Sequence, residues 1–285
     1  MNKIFPAMVS FFLCFSLVQA ADFDASQIDM PVHHLPNVAH RGFSHIAPEN
    51  TLIAYKMAVQ IKADGAECDV YTTADGVLVL SHDKNMKRTM GRDVALTDLT
   101  FEEFRKADAG IWKGKHFRGE VPPTLEEYLD LLKGTTCHPV IELKMDGIEQ
   151  AVIDAVKKHD MLDVTTIIAF SEKAVAQTRK IEKNVCVAFL YSEDMKDKSA
   201  EKEAPRLTEL LLQKCRELDT KILHLNHGLL SKELIDNLHS RGVTVWAWTV
   251  NDAKTMEKLL DLGIVSITTD RPDILNDVLQ KRNGK

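Results

Sequence analysis

The sequence lacks several features that mark particular classes of protein. Beyond residue 20 it has no long apolar run, whereas a membrane-spanning helix needs about 20 apolar residues, so we expect no stable membrane insertion. It has no basic stretch interleaved with aromatic residues, and its net charge is −6, so nucleic acid is not an expected partner. Low-complexity tracts and internal repeats are also absent. With 45% hydrophobic and 27% charged residues, the composition is that of a globular protein with one large core.

Cysteine is scarce as well. Beyond the N-terminal apolar run, four cysteines remain, and no two of them have the spacing of metal ligands: Cys68, Cys137, Cys186 and Cys215. Three of them lie in or beside apolar strand-like runs, which favours small buried thiols over a disulfide framework.

The first 20 residues have the pattern of an export signal. Lys3 supplies a positive charge, an apolar run covers residues 11–18, and the tripeptide ending at Ala20 fits a small-x-small cleavage site. We therefore expect export after cleavage near Ala20, into a periplasm or out of the cell. Residues 21–36 form a polar leader without clear periodicity, and residues 37–285 are predicted to form a single domain.

From residue 37 onward, short runs rich in Val and Ile alternate with helical patterns. The predicted strands are Asn37–Arg41, Ala66–Thr72, Pro139–Lys144, Thr165–Phe170, Val185–Tyr191, Lys221–Asn226, Val243–Val250 and Val265–Asp270. The predicted helices are Thr51–Lys62, Thr124–Leu132, Gly147–His159, Glu172–Ile181, Thr208–Leu218, Lys232–Arg241, Ala253–Leu260 and a closing helix in Asp273–Lys285. Eight strands alternating with helices predict an α/β fold, the (β/α)8 TIM barrel.

The second and third predicted strands are separated by roughly seventy residues, far more than a βα loop requires. This region begins with an Asp-Gly turn into an alternating apolar strand, Asp75–Asp83, and later becomes rich in glycine and aromatic residues. We interpret about residues 84–121 as an insertion over one mouth of the barrel.

TIM barrels place their active sites at the carboxyl ends of the strands, and acidic side chains occur within the second predicted strand and at the end of the third. Glu67 and Asp69 share one face of the second strand, and Glu142 and Lys144 share one face of the third. These faces point inward, because the outer faces must meet apolar helices. Buried carboxylates need a positive partner, and a hard cation such as Mg²⁺ or Ca²⁺ suits an all-oxygen site. The alternative is a salt-bridge network with Lys144 and Arg41.

His40 and His82 are the candidate proton carriers, since each ends an apolar run near these acids and histidine exchanges protons near neutral pH. Arg41 offers a planar fork that matches a phosphate, and Gly42 beside it allows close approach of the backbone. His45 lies in the loop beyond, and we interpret it as a turn or rim residue.

Seven other positions have less specific patterns. Asn50 is a plausible N-cap for the helix that begins near Thr51, and Glu49 is either a supporting residue of the site or a helix-end acid. Trp248 is either a core residue or a wall for an apolar or cationic group. The basic residues of the insertion are interpreted as solvated: Lys113, Lys115, His116 and Arg118.

Short motifs in a fixed order resemble the glycerophosphodiester phosphodiesterase family. They are AHRG, PENT, ECDV, DGVLVLSHD, PTLEE, IELK, WTVN and TDRP, and the resemblance covers nearly all of residues 37–279. The family implies an α/β barrel with an inserted segment after the second strand. One departure is that Val265 and Ser266 stand where an acid is often found before TDRP, and we interpret this end as packing.

The resemblance also implies roles for individual residues. The catalytic pair would be His40 and His82, and one divalent cation, Mg²⁺ or Ca²⁺, would be held by the acids Glu67, Asp69 and Glu142. Arg41 and Lys144 would contact the phosphate, with support from Glu49 and Asn50.

The expected reaction is hydrolysis of a glycerophosphodiester to glycerol 3-phosphate and an alcohol, and the sequence leaves the choice of alcohol open. One alternative is a related barrel phospholipase acting on intact lipids, with Ile111, Trp112 and Phe117 as its apolar rim. Another is an exported binding protein without activity, which would need neither both histidines nor all three acids.

Overall fold

The computed structural model describes residues 36–284 of the chain. The predicted signal sequence, residues 1–20, lies outside the described residues, and so does the predicted leader apart from Pro36.

A closed ring of parallel strands forms the centre of the fold. The nine strands of the described chain are β1 (Asn37–Ala39), β2 (Gly65–Thr72), β3 (Leu78–Leu80), β4 (His138–Leu143), β5 (Thr166–Ala169), β6 (Cys186–Tyr191), β7 (Ile222–Asn226), β8 (Thr244–Trp248) and β9 (Ser266–Thr269). All except β3 pair in parallel, and β1 pairs with both β2 and β9, which closes an eight-stranded barrel. Strand β3 pairs antiparallel with β2. The predicted (β/α)8 TIM barrel is thereby confirmed.

Helices follow the barrel strands along the chain. They are α1 (Leu52–Gln60), α2 (Lys87–Met90), α3 (Phe101–Arg105), α4 (Leu125–Leu132), α5 (Glu149–Lys158), α6 (Glu172–Ile181), α7 (Ala200–Glu217), α8 (Lys232–His239), α9 (Ala253–Asp261) and α10 (Pro272–Asn283). Among the residues that the structure describes, no helix is both long enough and apolar enough to cross a membrane.

Helix α7 is longer than its sequence pattern predicted. It begins at Ala200 rather than at Thr208 and runs through Pro205. Proline removes one backbone donor and crowds the carbonyl four residues earlier, which disfavours a helix that runs through residue 205. The fold overrides this preference because Ala204 and Leu207, on either side of the proline, are fully buried in the core.

The alternation of side chains in β2 divides the strand between two environments. Ala66, Cys68 and Val70 point outward into the main core between barrel and helices. Glu67 and Asp69 therefore point inward, as the period of two predicted. A separate apolar cluster of barrel residues also forms, with the fully buried Trp246 as its largest member. All four cysteines of the described residues are buried thiols, as expected.

The predicted insertion of about residues 84–121 contains α2 and α3 and forms a small core together with Tyr71 of β2 and Val79 of β3, in which Met86, Leu96 and Phe104 are fully buried. Its Lys113 Nζ donates to the carbonyl oxygen of Ser44, in the loop after β1, at 2.6 Å. The insertion thus contacts the mouth of the barrel where the strands end.

Candidate active site

The loop after β1 makes a tight turn that sets the position of Arg41. Arg41, Gly42 and Asn50 all have positive φ, at 52°, 77° and 54°. A Cβ at residue 42 would lie 2.6 Å from the carbonyl carbon of Ala54, so the turn requires glycine. In this conformation the backbone N–H of Arg41 donates to Glu67 Oε2 at 2.8 Å.

Three buried acids from two adjacent strands form the carboxylate cluster: Glu67, Asp69 and Glu142. One oxygen of each lies within 4.8 Å of the others. Glu67 Oε1 and Asp69 Oδ1 are buried without a hydrogen-bond donor. Buried polar atoms are nearly always satisfied, and carboxylate oxygens at such spacing match the oxygen ligands of a hard divalent cation. The residues present therefore fit a metal site.

Two basic side chains neutralise the cluster only in part. Lys144 Nζ donates to Glu142 Oε1 at 2.8 Å and lies 3.3 Å from Asp69 Oδ1, while Arg41 Nε lies 3.3 Å from Asp69 Oδ2. Glu67 accepts from the Arg41 backbone but forms no salt bridge within the described residues. The salt-bridge network considered as an alternative is thus present, yet it leaves one buried acid without a cation.

Electrostatics within the cluster separate the three acids. Burial raises the pKa of Glu67 well above its usual value, and the neighbouring Asp69 and Glu142 raise it further. Burial and Asp69 also raise the pKa of Glu142 to about 7. Burial acts on Asp69 in the same direction, but Lys144 and Arg41 outweigh it and lower the pKa of Asp69 to about 2. The cluster as a whole therefore favours an added positive charge.

Asn50 positions Asp69 and does not cap helix α1. Its Nδ2 donates to Asp69 Oδ2 at 2.7 Å, and its Oδ1 accepts from Tyr55 Oη at 2.8 Å. The N-cap is Thr51, whose extended backbone lets its hydroxyl accept from the N–H of Ala54. The interpretation of Asn50 as the cap is wrong, because its left-handed backbone does not suit that position.

Glu49 lies beside two arginines and outside the carboxylate cluster. Its Oε1 accepts from Arg41 Nη1 at 2.8 Å, and both of its oxygens accept from the guanidinium of Arg88 in the insertion. Burial would raise the pKa of Glu49, but Arg88 and Arg41 lower it. Glu49 therefore holds Arg41 in position and connects the insertion, through Arg88, to the site.

His40 is held by Asp270, which directly follows β9. His40 Nδ1 lies 2.7 Å from Asp270 Oδ1, and Asp270 also accepts from Ser44 Oγ at 2.9 Å and Asn251 Nδ2 at 2.7 Å. An ionised carboxylate only accepts, so Nδ1 carries the proton and Nε2 is left available. The segment around TDRP, which contains Asp270, was interpreted as packing, and that interpretation missed the contact of Asp270 with His40. The signal that could have found it is the pairing of the first and last strands in a closed barrel.

His82 has an equivalent partner in the next residue. Its Nδ1 lies 2.7 Å from Asp83 Oδ1, and Arg88 Nε donates to Asp83 Oδ2 at 2.5 Å. Burial lowers the pKa of His82; Asp69 opposes this shift, and Arg41 and Lys144 reinforce it. Both histidines therefore have Nδ1 occupied by a carboxylate, which leaves Nε2 of each for chemistry.

A cavity of about 90 Å³ joins these groups at the barrel mouth. Seven of the ten residues proposed from the sequence line it, namely His40, Arg41, Glu67, His82, Glu142, Lys144 and Trp248. The other three do not line it, but Glu49 and Asp69 contact Arg41, and Asn50 contacts Asp69.

The opposite wall of the cavity is aromatic. Trp248 packs edge-on against Phe170 with ring centroids 5.4 Å apart, and its Nε1 donates to the carbonyl oxygen of His224 at 3.0 Å. His224 was not singled out from the sequence. Burial lowers its pKa to about 3, so it is neutral, and its Nε2 lies 3.0 Å from Thr268 Oγ1. This wall leaves the titrating groups of the cavity concentrated on the side of β1, β2 and β4.

Comparison with known proteins agrees with this geometry. The family model described as the glycerophosphoryl diester phosphodiesterase family matches residues 40–274. A glycerophosphodiester phosphodiesterase from Caldanaerobacter subterraneus subsp. tengcongensis is 32% identical over 249 residues, which cover 86% of this chain and 97% of the relative. One from Bacillus subtilis is 30% identical over 261 residues, covering 85% of each chain.

A solved structure is also similar. It is that of an Oleispira antarctica phosphodiesterase in complex with the product sn-glycerol-3-phosphate, with a TM-score of 0.78 and 26% identity, covering 86% of this chain and 97% of that one. On the match to the family model and the identity to these relatives, the chain belongs to the glycerophosphoryl diester phosphodiesterase family.

Proposed function

We propose that this protein hydrolyses glycerophosphodiesters to glycerol 3-phosphate and an alcohol. One observation carries the proposal: His40 and His82, each held at Nδ1 by an aspartate, line a single cavity together with Arg41 and Lys144. Two proton carriers beside two cations are what cleavage of an anionic diester requires. The names of the relatives support the same substrate class.

The histidines exchange the protons of the reaction. One neutral imidazole takes a proton at Nε2 from the attacking oxygen, which is a water or the neighbouring hydroxyl of the glycerol; in the second case the product of this step is a cyclic phosphodiester, which a water then opens to glycerol 3-phosphate. The other, protonated, donates from Nε2 to the leaving alcohol oxygen. The aspartate at each Nδ1 holds the ring in one tautomer and stabilises the imidazolium while it is charged.

Arg41 and Lys144 bind the phosphate and oppose the charge that grows on its oxygens in the transition state. Both are held in place before substrate binds, Arg41 by Glu49 and Asp69 and Lys144 by Glu142. A divalent cation, Mg²⁺ or Ca²⁺, would be held by Glu67, Asp69 and Glu142. When bound it supplies a fixed positive charge that polarises phosphoryl oxygens.

The experiment is a coupled assay that measures release of glycerol 3-phosphate from glycerophosphocholine with added Mg²⁺ or Ca²⁺. We expect His40→Ala and His82→Ala each to lose at least about 100-fold in kcat, the usual contribution of general acid–base catalysis. Calorimetry should show that both variants still take up the metal. His116→Ala is the control, since His116 is exposed in the insertion. Near-normal turnover by either active-site variant would refute the proposed pair.

Action on intact lipids is less well supported. Of the three apolar residues considered for a lipid-binding rim, Phe117 is only 9% exposed, whereas Trp112 is 37% exposed. Flotation with phospholipid vesicles tests this point, and we expect the protein to remain unbound.

We also propose that the protein is exported, from the pattern of its first 20 residues. Edman sequencing of the mature protein should begin near Ala21.

A further inference from the structure

A second cavity of about 420 Å³ adjoins the catalytic one. We call it the outer pocket; beyond the shared lining it is formed chiefly by Ser44, His45, Trp112, Lys113, Asn251 and Asp270. It lies between the loops after β1, β8 and β9 and the insertion. His40, Arg41 and Thr249 line both cavities.

The shared lining indicates how a diester would be divided between the two cavities, given the proposed function. A phosphate at Arg41 and His40 would extend one arm into each cavity. The glycerol arm is small and common to all such substrates, which suits the smaller cavity of about 90 Å³ beside the carboxylate cluster. The alcohol arm varies in size and charge, and the larger outer pocket has room for it. Because attacking and leaving oxygens lie roughly in line on phosphorus, the leaving alcohol needs a space of its own on the side away from the attacking oxygen.

One cation of the outer pocket, Lys113, has no carboxylate partner in the described part of the chain. The two carboxylates of the pocket are already paired, Glu49 with two arginines and Asp270 with His40, Ser44 and Asn251. Lys113 Nζ donates only to the carbonyl oxygen of Ser44, and among residues 36–284 no carboxylate lies within ion-pairing distance of it. An ammonium group therefore remains unneutralised at the pocket wall.

The aromatic residue of the outer pocket is also engaged by cations. Lys113 Nζ lies 5.6 Å and Arg88 Cζ 6.0 Å from the ring centroid of Trp112. A quaternary ammonium binds proteins through free aromatic faces or free carboxylates, and the outer pocket offers little of either. An alcohol that carries a carboxylate would instead meet the free N–H donors of Lys113.

We propose that the outer pocket binds the alcohol half of the diester and that Lys113 makes it favour alcohols bearing a negative group over purely cationic ones. The sequence did not indicate this role, because Lys113 is one of several basic residues in the insertion. Lys113 differs from these residues because the insertion returns to the barrel mouth, where Lys113 contacts Ser44 and lines the outer pocket.

The test compares two substrates that differ only by a carboxylate, glycerophosphoserine and glycerophosphoethanolamine. The measured quantity is the ratio of their kcat/KM values, in the wild type and in Lys113→Met and Lys113→Glu. We expect the ratio to fall roughly three- to tenfold in Lys113→Met, the size of a charge contact in a partly exposed site, and further in Lys113→Glu. Lys115→Glu is the matched control, because it makes the same charge change two residues away on an exposed side chain.

The ratio keeps this inference separate from the proposed function. If the wild type hydrolyses neither substrate, the proposed function fails. If it hydrolyses both and the Lys113 variants leave the ratio unchanged, the alcohol does not meet Lys113 and the inference is overturned. An equal loss with both substrates would overturn it too, since Lys113 would then act only through Ser44 and the Asp270–His40 pair.

Discussion

Replacing Asp270 by asparagine keeps the size of the side chain and removes its charge. In the native structure both Asp270 oxygens accept, Oδ1 from His40 and Ser44 and Oδ2 from Asn251. An asparagine must turn its NH2 group toward one of these donors. Asn251 cannot rotate to adapt, because its Oδ1 already accepts from the backbone N–H of residue 270 and from Thr269 Oγ1. Asp270→Asn therefore either forces His40 into the other tautomer or loses the bond to Asn251.

The magnitude follows from the hydrogen bond that is lost. A hydrogen bond to a charged partner contributes about 1.5–3 kcal/mol, and this corresponds to about 10- to 150-fold in rate. The Asp270 side chain is 32% exposed, so solvent weakens the interaction and the lower part of that range applies. We expect kcat to fall about 10- to 50-fold, with a much smaller change in KM, because Asp270 lies behind His40 and orients it.

The assay is release of glycerol 3-phosphate at saturating metal, with kcat and KM measured across pH. Asp252→Asn is the control: Asp252 caps α9 by accepting from the N–H of Thr255, and asparagine caps helices equally well. Calorimetric titration with metal should give the same affinity for Asp270→Asn as for the wild type. A loss of less than about twofold in kcat, or a loss confined to KM, would show that Asp270 does not position His40 for proton transfer.

Three further outcomes are expected. Asn50→Ala removes the hydrogen bond to Asp69 Oδ2 and leaves the buried hydroxyl of Tyr55 without its acceptor, and urea denaturation should show a loss of about 1–3 kcal/mol in the free energy of unfolding. Glu67→Gln removes a buried charge that no side chain neutralises, so calorimetric metal affinity should fall more than about tenfold while the metal-free protein melts at a higher temperature. Gly42→Ala brings a Cβ within 2.6 Å of Ala54 at positive φ, and thermal melting should report destabilisation by about 2–4 kcal/mol.

Local periodicity in the sequence was sufficient to predict the barrel and much of the site. The period of two in the second and third strands placed Glu67, Asp69 and Glu142 on inward faces, and the structure brings them within 4.8 Å of one another. The same periodicity placed His40 and His82 at strand ends. The start of α7 is an exception: Thr208 was predicted, whereas the helix begins at Ala200 and runs through Pro205, where burial on both sides outweighs the local cost of proline.

The partners of these residues depend on contacts between distant parts of the chain. His40 and Asp270 are 230 positions apart and meet only because β1 pairs with β9. Arg88 reaches Glu49 across 39 positions, since the insertion returns to the mouth of the barrel.

The sequence by itself thus determined the fold class, the family and the residues suited to the chemistry, because these follow from local patterns of residue type. Closure of the barrel and the return of the insertion decided how those residues are held. As a result Asp270 contacts His40, and Asn50 donates to Asp69 and does not cap α1. Lys113 of the insertion contacts the loop after β1. Which side chains pair depends on which distant segments of the chain the fold brings within hydrogen-bonding distance of each other. Local periodicity carries no information about the separation of such segments in space.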